Sequence, residues 1–249
     1  MALIHSLEKN GNILFKFRGQ IPLVLFIMAI PVIYFTDYKD INSNPTIKNS
    51  LTILAILISF FGQYIRAIAI GTSHKETSGR NTQEQVAEAL NTKGIYSTIR
   101  HPLYLGNYFM WIGIIIYTFN FWFFIICSLL FWLYYERIMF AEERFLERKF
   151  GENYVNWSNK IPAFVPSFKN YEKSTISFSL KTILRREYSG VSATIIGFLF
   201  IDVIRDFYEL NSFVFTLNQV YILIFAILLS LILRTFKHHT KILHEEDRS

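Results

Sequence analysis

Two short stretches of this chain combine residue types suited to gripping a charged small molecule. The first is Gly94-Ile95-Tyr96-Ser97-Thr98-Ile99-Arg100-His101-Pro102-Leu103-Tyr104-Leu105-Gly106. Pro102 suits the first turn of a helix, where its missing N–H costs nothing. The free N–H groups of that turn favour an anion such as a carboxylate. Tyr96, His101 and Tyr104 set polar-tipped rings around the same point. An interfacial belt of Arg, His and Tyr that only anchors a helix end has the same composition, so this stretch alone does not decide.

The second stretch runs from Arg137 through Glu142-Glu143-Arg144-Phe145-Leu146 to Phe150-Gly151-Glu152-Asn153-Tyr154. Its pattern predicts a charged helix that Gly151 ends in a left-handed cap. Glu143 and Glu147 share a face and Arg144 can pair with Glu147, so a salt-bridged solvent helix is the plain alternative. The two stretches gain meaning from each other. If they meet, acidic side chains approach a helix N-terminus ringed by Tyr and His. Such a cradle fits a zwitterionic amino-acid group, carboxylate to the helix and ammonium to a Glu. A sulfonium beside the aromatic faces would gain ~0.5–2 kcal/mol.

Hydrophobic runs supply the elements that bring the stretches together. Of 249 residues 52% are hydrophobic and 18% charged, below the ~25% charged share of soluble domains. The apolar residues come in blocks: 51–71 carries only the charge of Arg66, and 103–135 carries none. A bilayer core of ~30 Å takes roughly 20 helical residues, so these runs read as spans. Six are expected, at 21–38, 51–71, 102–119, 121–140, 190–207 and 213–233. Pro31 should kink the first or lie near its end. The run 103–135 is too long for one span and splits near Asn120 into a helical hairpin, which returns Pro102 and Phe140 to one membrane face. The first run lacks a small-residue cleavage site and is read as a span, not a secretory leader.

Charge sets the orientation. Of the 25 Lys+Arg, 21 fall in the segments before span one, between spans two and three, from Glu136 to span five, and after span six. Both termini and both long polar loops, Thr72–His101 and Glu136–Ser189, are therefore expected in the cytoplasm. Membrane orientation explains the net charge of +6 better than nucleic-acid binding does. The single Cys127 lies in an apolar run, which excludes an intrachain disulfide and a Cys-based zinc site. His238, His239 and His244 read as a chance cluster in the charged tail. Arg66 reads as a snorkelling side chain or a functional suspect, and Asp202 with Arg205 as a local ion pair.

The joint pattern Gly-x-Tyr-x-x-x-Arg-His-Pro-x-Tyr-x-Gly, a hairpin, then Arg…Glu-Glu-x-x-Leu-x-x-x-Phe-Gly-x-x-Tyr and a downstream Pro166 resembles the isoprenylcysteine carboxyl methyltransferases and their phospholipid-methyltransferase relatives. The likeness covers roughly 51–166. It implies a membrane enzyme that binds S-adenosyl-L-methionine at the cytoplasmic face. It implies cofactor contacts from Tyr96, His101, Pro102, Leu103, Tyr104, Glu142 and Glu143, and from Glu88, Ala89, Leu90 and Asn91 just upstream. Arg137 falls where the family has a substrate-facing arginine, which makes it the catalytic candidate. Trp157 departs from the pattern, standing where many members have a second Tyr.

The expectation is thus an all-α integral membrane protein of about six transmembrane helices, multi-pass, with its cofactor site at the cytoplasmic face. If the chain is bacterial, the inner membrane is its place. Its parts would be an N-terminal segment at 1–50, a methyltransferase core at 51–166, a cytoplasmic linker at 167–189 and a C-terminal two-span hairpin with tail at 190–249. The partner is a lipophilic small-molecule or lipid acceptor reached from the bilayer, with no metal and no nucleic acid. Sterol and enone reductases, which use NADPH, share an Arg-His-x-x-Tyr-x-Gly element. Leu103 and Asn107 depart from their pattern, and the Glu-Glu-x-x-Leu block is not theirs. A transporter or scaffold would line a midplane path with polar residues, and these spans are nearly bare of them.

Overall fold

The computed structural model of the chain describes residues 2–73 and 85–245. Among them are nine α-helices: α1 (Leu3–Lys16), α2 (Ile21–Phe35), α3 (Lys39–Ser43), α4 (Pro45–Gly71), α5 (Pro102–Ile116), α6 (Phe121–Phe150), α7 (Glu152–Ser158), α8 (Leu180–Leu210) and α9 (Leu217–His239). A 3-10 turn at Gly94–Ser97 precedes α5. Three helices, α4, α6 and α9, are long and apolar enough to cross a membrane. Leu23–Phe35 and Pro102–Ile116 are shorter apolar helices.

Polar caps move the helix ends away from the edges of the apolar runs. α4 starts at Pro45, six residues before the expected span, because the Asn44 side chain accepts from Ile47 N and Pro45 takes the first turn. α9 starts at Leu217, where Thr216 and Gln219 form a reciprocal capping box. α6 starts after Asn120, whose side chain accepts from Phe123 N, so the hairpin splits where the sequence places the split. Its other end is Gly151 at φ 54°, ψ −130°, a backbone region suited to glycine. Pro31 stays inside α2, one turn before that helix ends at Phe35.

α4 and α5 form the most extensive helix pair, and small residues make it close. A Cβ on Gly62 would fall 2.5 Å from Gly106 O, and one on Gly113 would strike Ser59 Oγ and Ala55 O. Ser59 Oγ donates across the seam to Met110 O at 2.8 Å. α1, which the apolar runs did not announce, lies across the far end of α6. Gly11 meets the Arg137 carbonyl and Ala141 so closely that no Cβ fits, and Glu8 pairs with Arg148 at 2.6 Å.

Three sequence readings change. The stretch read as a linker turns helical at Leu180, ten residues before the expected span, and buries Thr182, Arg185, Arg186 and Glu187. Arg66 does not snorkel. Its guanidinium grips Glu187 with two bonds of 2.6 and 2.7 Å and donates to Asn107 Oδ1 at 2.5 Å. Asp202 and Arg205 do not pair with each other. Asp202 accepts from Tyr117 and Gln219, while buried Arg205 donates to Tyr117 O under the rings of Tyr117 and Phe119. An aromatic cage with a carbonyl at its floor replaces the carboxylate as the cation's partner.

Candidate active site

The start of α5 is held by the chain segment that follows α7. Arg100 N donates to Pro162 O, His101 N to Ala163 O and Ser167 N to Thr98 O. Gly94, at φ +63°, donates to Glu172 O. These bonds fix the Arg-His-Pro turn from outside, so its side chains are free to meet α6. His101 is buried, and its Nε2 lies 2.8 Å from Glu143 Oε1. Arg100 Nε is 3.0 Å from the same oxygen, and Arg100 NH1 donates to Ser158 O. Tyr104 donates to Glu142 Oε2 at 2.8 Å. The two stretches that carry the chemistry therefore do meet, acid against helix N-terminus.

A cavity of about 750 Å³ opens at this junction, within the ~300–1,000 Å³ usual for small-molecule sites. Ala89, Leu90, Asn91, Tyr96, His101, Pro102, Leu103, Tyr104 and Glu142 line it. Glu143 stands behind that wall, bracing His101 and Arg100, and Glu88 is not among the lining residues. Arg137 is also not among them; its NH1 donates to Leu133 O at 2.7 Å, one turn back along α6.

Several lining residues come from segments the sequence reading left out. Phe15 and Arg18 come from the end of α1 and the turn after it, and Arg186, Ser189, Gly190 and Ala193 from α8. Arg66, Asn107 and Tyr135 also line it, with Asn107 donating to the Tyr135 hydroxyl at 3.1 Å. Leu3, Leu7, Leu14 and Phe15 recur at helical spacing, a signal from which α1 could have been found. No sequence spacing links Arg186 to the site.

The electrostatics favour a ligand with a positive end and a negative one. Burial first, then the charge of Glu142, push the Tyr96 hydroxyl above its ordinary pKa. Burial first and then Glu143 do the same to Tyr154. Both phenols therefore stay neutral. The Trp157 indole N–H lies out of solvent on the cavity wall without an acceptor among the described residues, and the His101 N-cap makes no side-chain capping bond. An open helix N-terminus and a carboxylate thus face one space. That set fits a zwitterionic amino-acid group.

Residues 50–153 match the family described as phospholipid methyltransferase. Over 116 residues the chain is 30% identical to the protein-S-isoprenylcysteine O-methyltransferase of Saccharomyces cerevisiae, covering 46% of this chain and 48% of that one. It is 33% identical over 111 residues to the Schizosaccharomyces pombe protein of the same name, covering 42% and 45%. With the Homo sapiens protein it shares 27% identity over 124 residues, covering 48% and 42%. The chain spans about half the length of the curated relatives it matches. No solved structure matches it significantly. The helix start at His101-Pro102 and the Glu142-Glu143 pair both lie inside the matched residues, and over that stretch the chain is similar to phospholipid methyltransferases and isoprenylcysteine O-methyltransferases.

Proposed function

We propose that the chain is an S-adenosyl-L-methionine-dependent methyltransferase that acts at the membrane on a lipophilic acceptor. The observation that carries this reading is the meeting of Glu142 with the N-terminus of α5 in one cavity. The first turn of α5 at Pro102, Leu103 and Tyr104 takes the donor carboxylate. Glu142 takes its ammonium, and Ala89, Leu90 and Asn91 with Tyr96 flank the remainder. Glu143 acts one step removed by holding His101 and Arg100.

When bound, the sulfonium supplies an electrophilic methyl group. The chain's own part is to hold donor and acceptor in line and exclude water. A carboxylate or thiolate acceptor needs no base, whereas an ammonium acceptor must first lose a proton. The relatives are named for O-methylation of isoprenylcysteine, which favours a carboxylate here over an S- or N-acceptor. S-adenosylmethionine and its demethylated product should each raise the melting temperature of the purified chain by mass action, and NADPH should not. The reverse result would install the reductase reading.

Six spans with both termini and the site in the cytoplasm are supported by the basic loops and by the shorter apolar helices α2 and α5 beside the three long ones, while the fifth span, within α8, rests on the apolar run at 190–207. Cysteines placed at Ser78 (outside the described residues) and Ser174 should resist an impermeant thiol reagent applied from outside. The native Cys127 is buried and leaves a clean background. Strong external labelling at either position would overturn this orientation.

A further inference from the structure

A chain of hydrogen bonds runs from α8 through α4 and α5 to α6. Arg66 grips Glu187 through Nε and Nη2 at 2.6 and 2.7 Å, and its Nη1 donates to Asn107 Oδ1 at 2.5 Å. Asn107 Nδ2 in turn donates to the Tyr135 hydroxyl at 3.1 Å. The links can run in only one sense. A guanidinium donates and cannot accept, so the oxygen of Asn107 must face Arg66 and its amide N–H must face Tyr135. Tyr135 therefore gives an oxygen lone pair to Asn107 and keeps its own proton for a different partner. Among the described residues that proton meets no acceptor. The ring is held in place: it stacks on Phe131 at 4.2 Å and packs against Tyr104 and Tyr134 at 4.8 and 5.0 Å between centroids. Tyr135 is buried and, with Arg66 and Asn107, lines the large cavity.

We infer that Tyr135 is a specificity-determining residue of the methyl-transfer site: its hydroxyl donates to an oxygen of the acceptor, and Asn107, Arg66 and Glu187 are the positioning residues that aim the proton. The inference rests on the methyltransferase reading and deepens it by selecting a carboxylate over an amine. A carboxylate can accept from Tyr135 with one oxygen and attack the methyl group with the other. The O–CH3 bond then forms as the S–CH3 bond breaks, the electron pair stays on sulfur, and Tyr135 keeps its proton. An amine has a single lone pair, and a hydrogen bond from Tyr135 occupies the electrons that the attack needs. A protonated amine sets N–H against O–H. Glu187 balances the charge of Arg66, so the selection lies in the direction of a neutral donor and not in a cation. Glu187 also lies beyond residue 153, where the family match ends. By this route α8 takes part in the choice of acceptor.

Isotope-edited infrared spectra of the whole chain in phosphatidylcholine nanodiscs test this. The probe is methyl decanoate with carbon-13 at its carbonyl, a neutral ester whose label separates its band from those of the lipid esters. Its carbonyl stands for the acceptor oxygen that does not attack. The parent should add a carbonyl band at lower frequency that protein-free nanodiscs lack, as hydrogen bonding to that oxygen requires. Tyr135→Phe keeps the ring packing and should lose the band. Asn107→Asp should lose it with the hydroxyl still present, because the second carboxylate oxygen accepts the Tyr135 proton and turns it from the cavity. No added band in the parent overturns the inference, and so does its persistence in either variant. Melting curves show which variants fold, and Tyr135→Phe decides alone if Asn107→Asp does not. A separate titration of S-adenosylmethionine keeps the readings apart. A chain that binds the donor but shows no added band loses the role of Tyr135 alone. An added band without donor binding keeps the oxygen-binding hydroxyl and overturns its part in methyl transfer.

Discussion

Glu142→Gln should weaken S-adenosylmethionine binding about ten- to hundredfold while leaving the helices in place. The substitution keeps the shape of the side chain and its bond from Tyr104, and it removes only the charge offered to the donor ammonium. A hydrogen bond to a charged group contributes roughly 1.5–3 kcal/mol, and each 1.4 kcal/mol is about a factor of ten. Glu143 serves differently. It stands off the cavity and joins Nε2 of His101 to Nε of Arg100. Glu143→Gln should therefore act through the position of His101, with a smaller loss of affinity and a larger loss of thermal stability than Glu142→Gln. Calorimetry and melting curves on the two purified variants separate these roles. Parental donor affinity in both would reduce the acidic pair to a charged helix face.

Glu187→Ala should cost about 3–5 kcal/mol of stability, because it leaves the Arg66 guanidinium buried without its carboxylate. The pair is well removed from solvent, with side-chain exposures of 19% and 6%, so screening by water offsets little of the loss. Asn107 Oδ1 would remain as a neutral partner for one N–H. Replacing both members, as Arg66→Met with Glu187→Met, should recover most of the loss, since it removes the stranded charge along with its partner. Thermal melting in detergent measures all three variants. A single Glu187→Ala variant as stable as the parent would mean that α8 does not depend on this clamp.

The wall of the cavity formed by α5 and α6 was legible because local rules govern it. Pro102 marks a helix start, Asn120 splits an apolar run too long for one span, and Gly151 ends the charged helix. Those three points suffice to bring His101 within reach of Glu143. The wall contributed by the N-terminal segment and α8 was not legible. Arg18 follows an amphipathic helix whose apolar residues are too dispersed to register as a span, and α1 becomes visible only when it is seen lying on α6. Glu187 lies 121 residues from Arg66, inside a polar stretch that composition reads as a linker. Helical periodicity carries no term for such a pairing. Asp202 and Arg205 fail in the opposite way: their spacing permits an ion pair, yet the aromatic turn at Tyr117–Phe119 offers the cation a better-enclosed place.

The seam between α4 and α5 also bears on how this chain can vary over descent. At Gly62 and Gly113 the neighbouring atoms include main-chain atoms, which cannot rotate out of the way as a side-chain tip can. No single exchange at either position is conservative, since the smallest step, to alanine, already asks two helices to move apart. Change there must come as a linked set, with the facing helix altered in the same lineage.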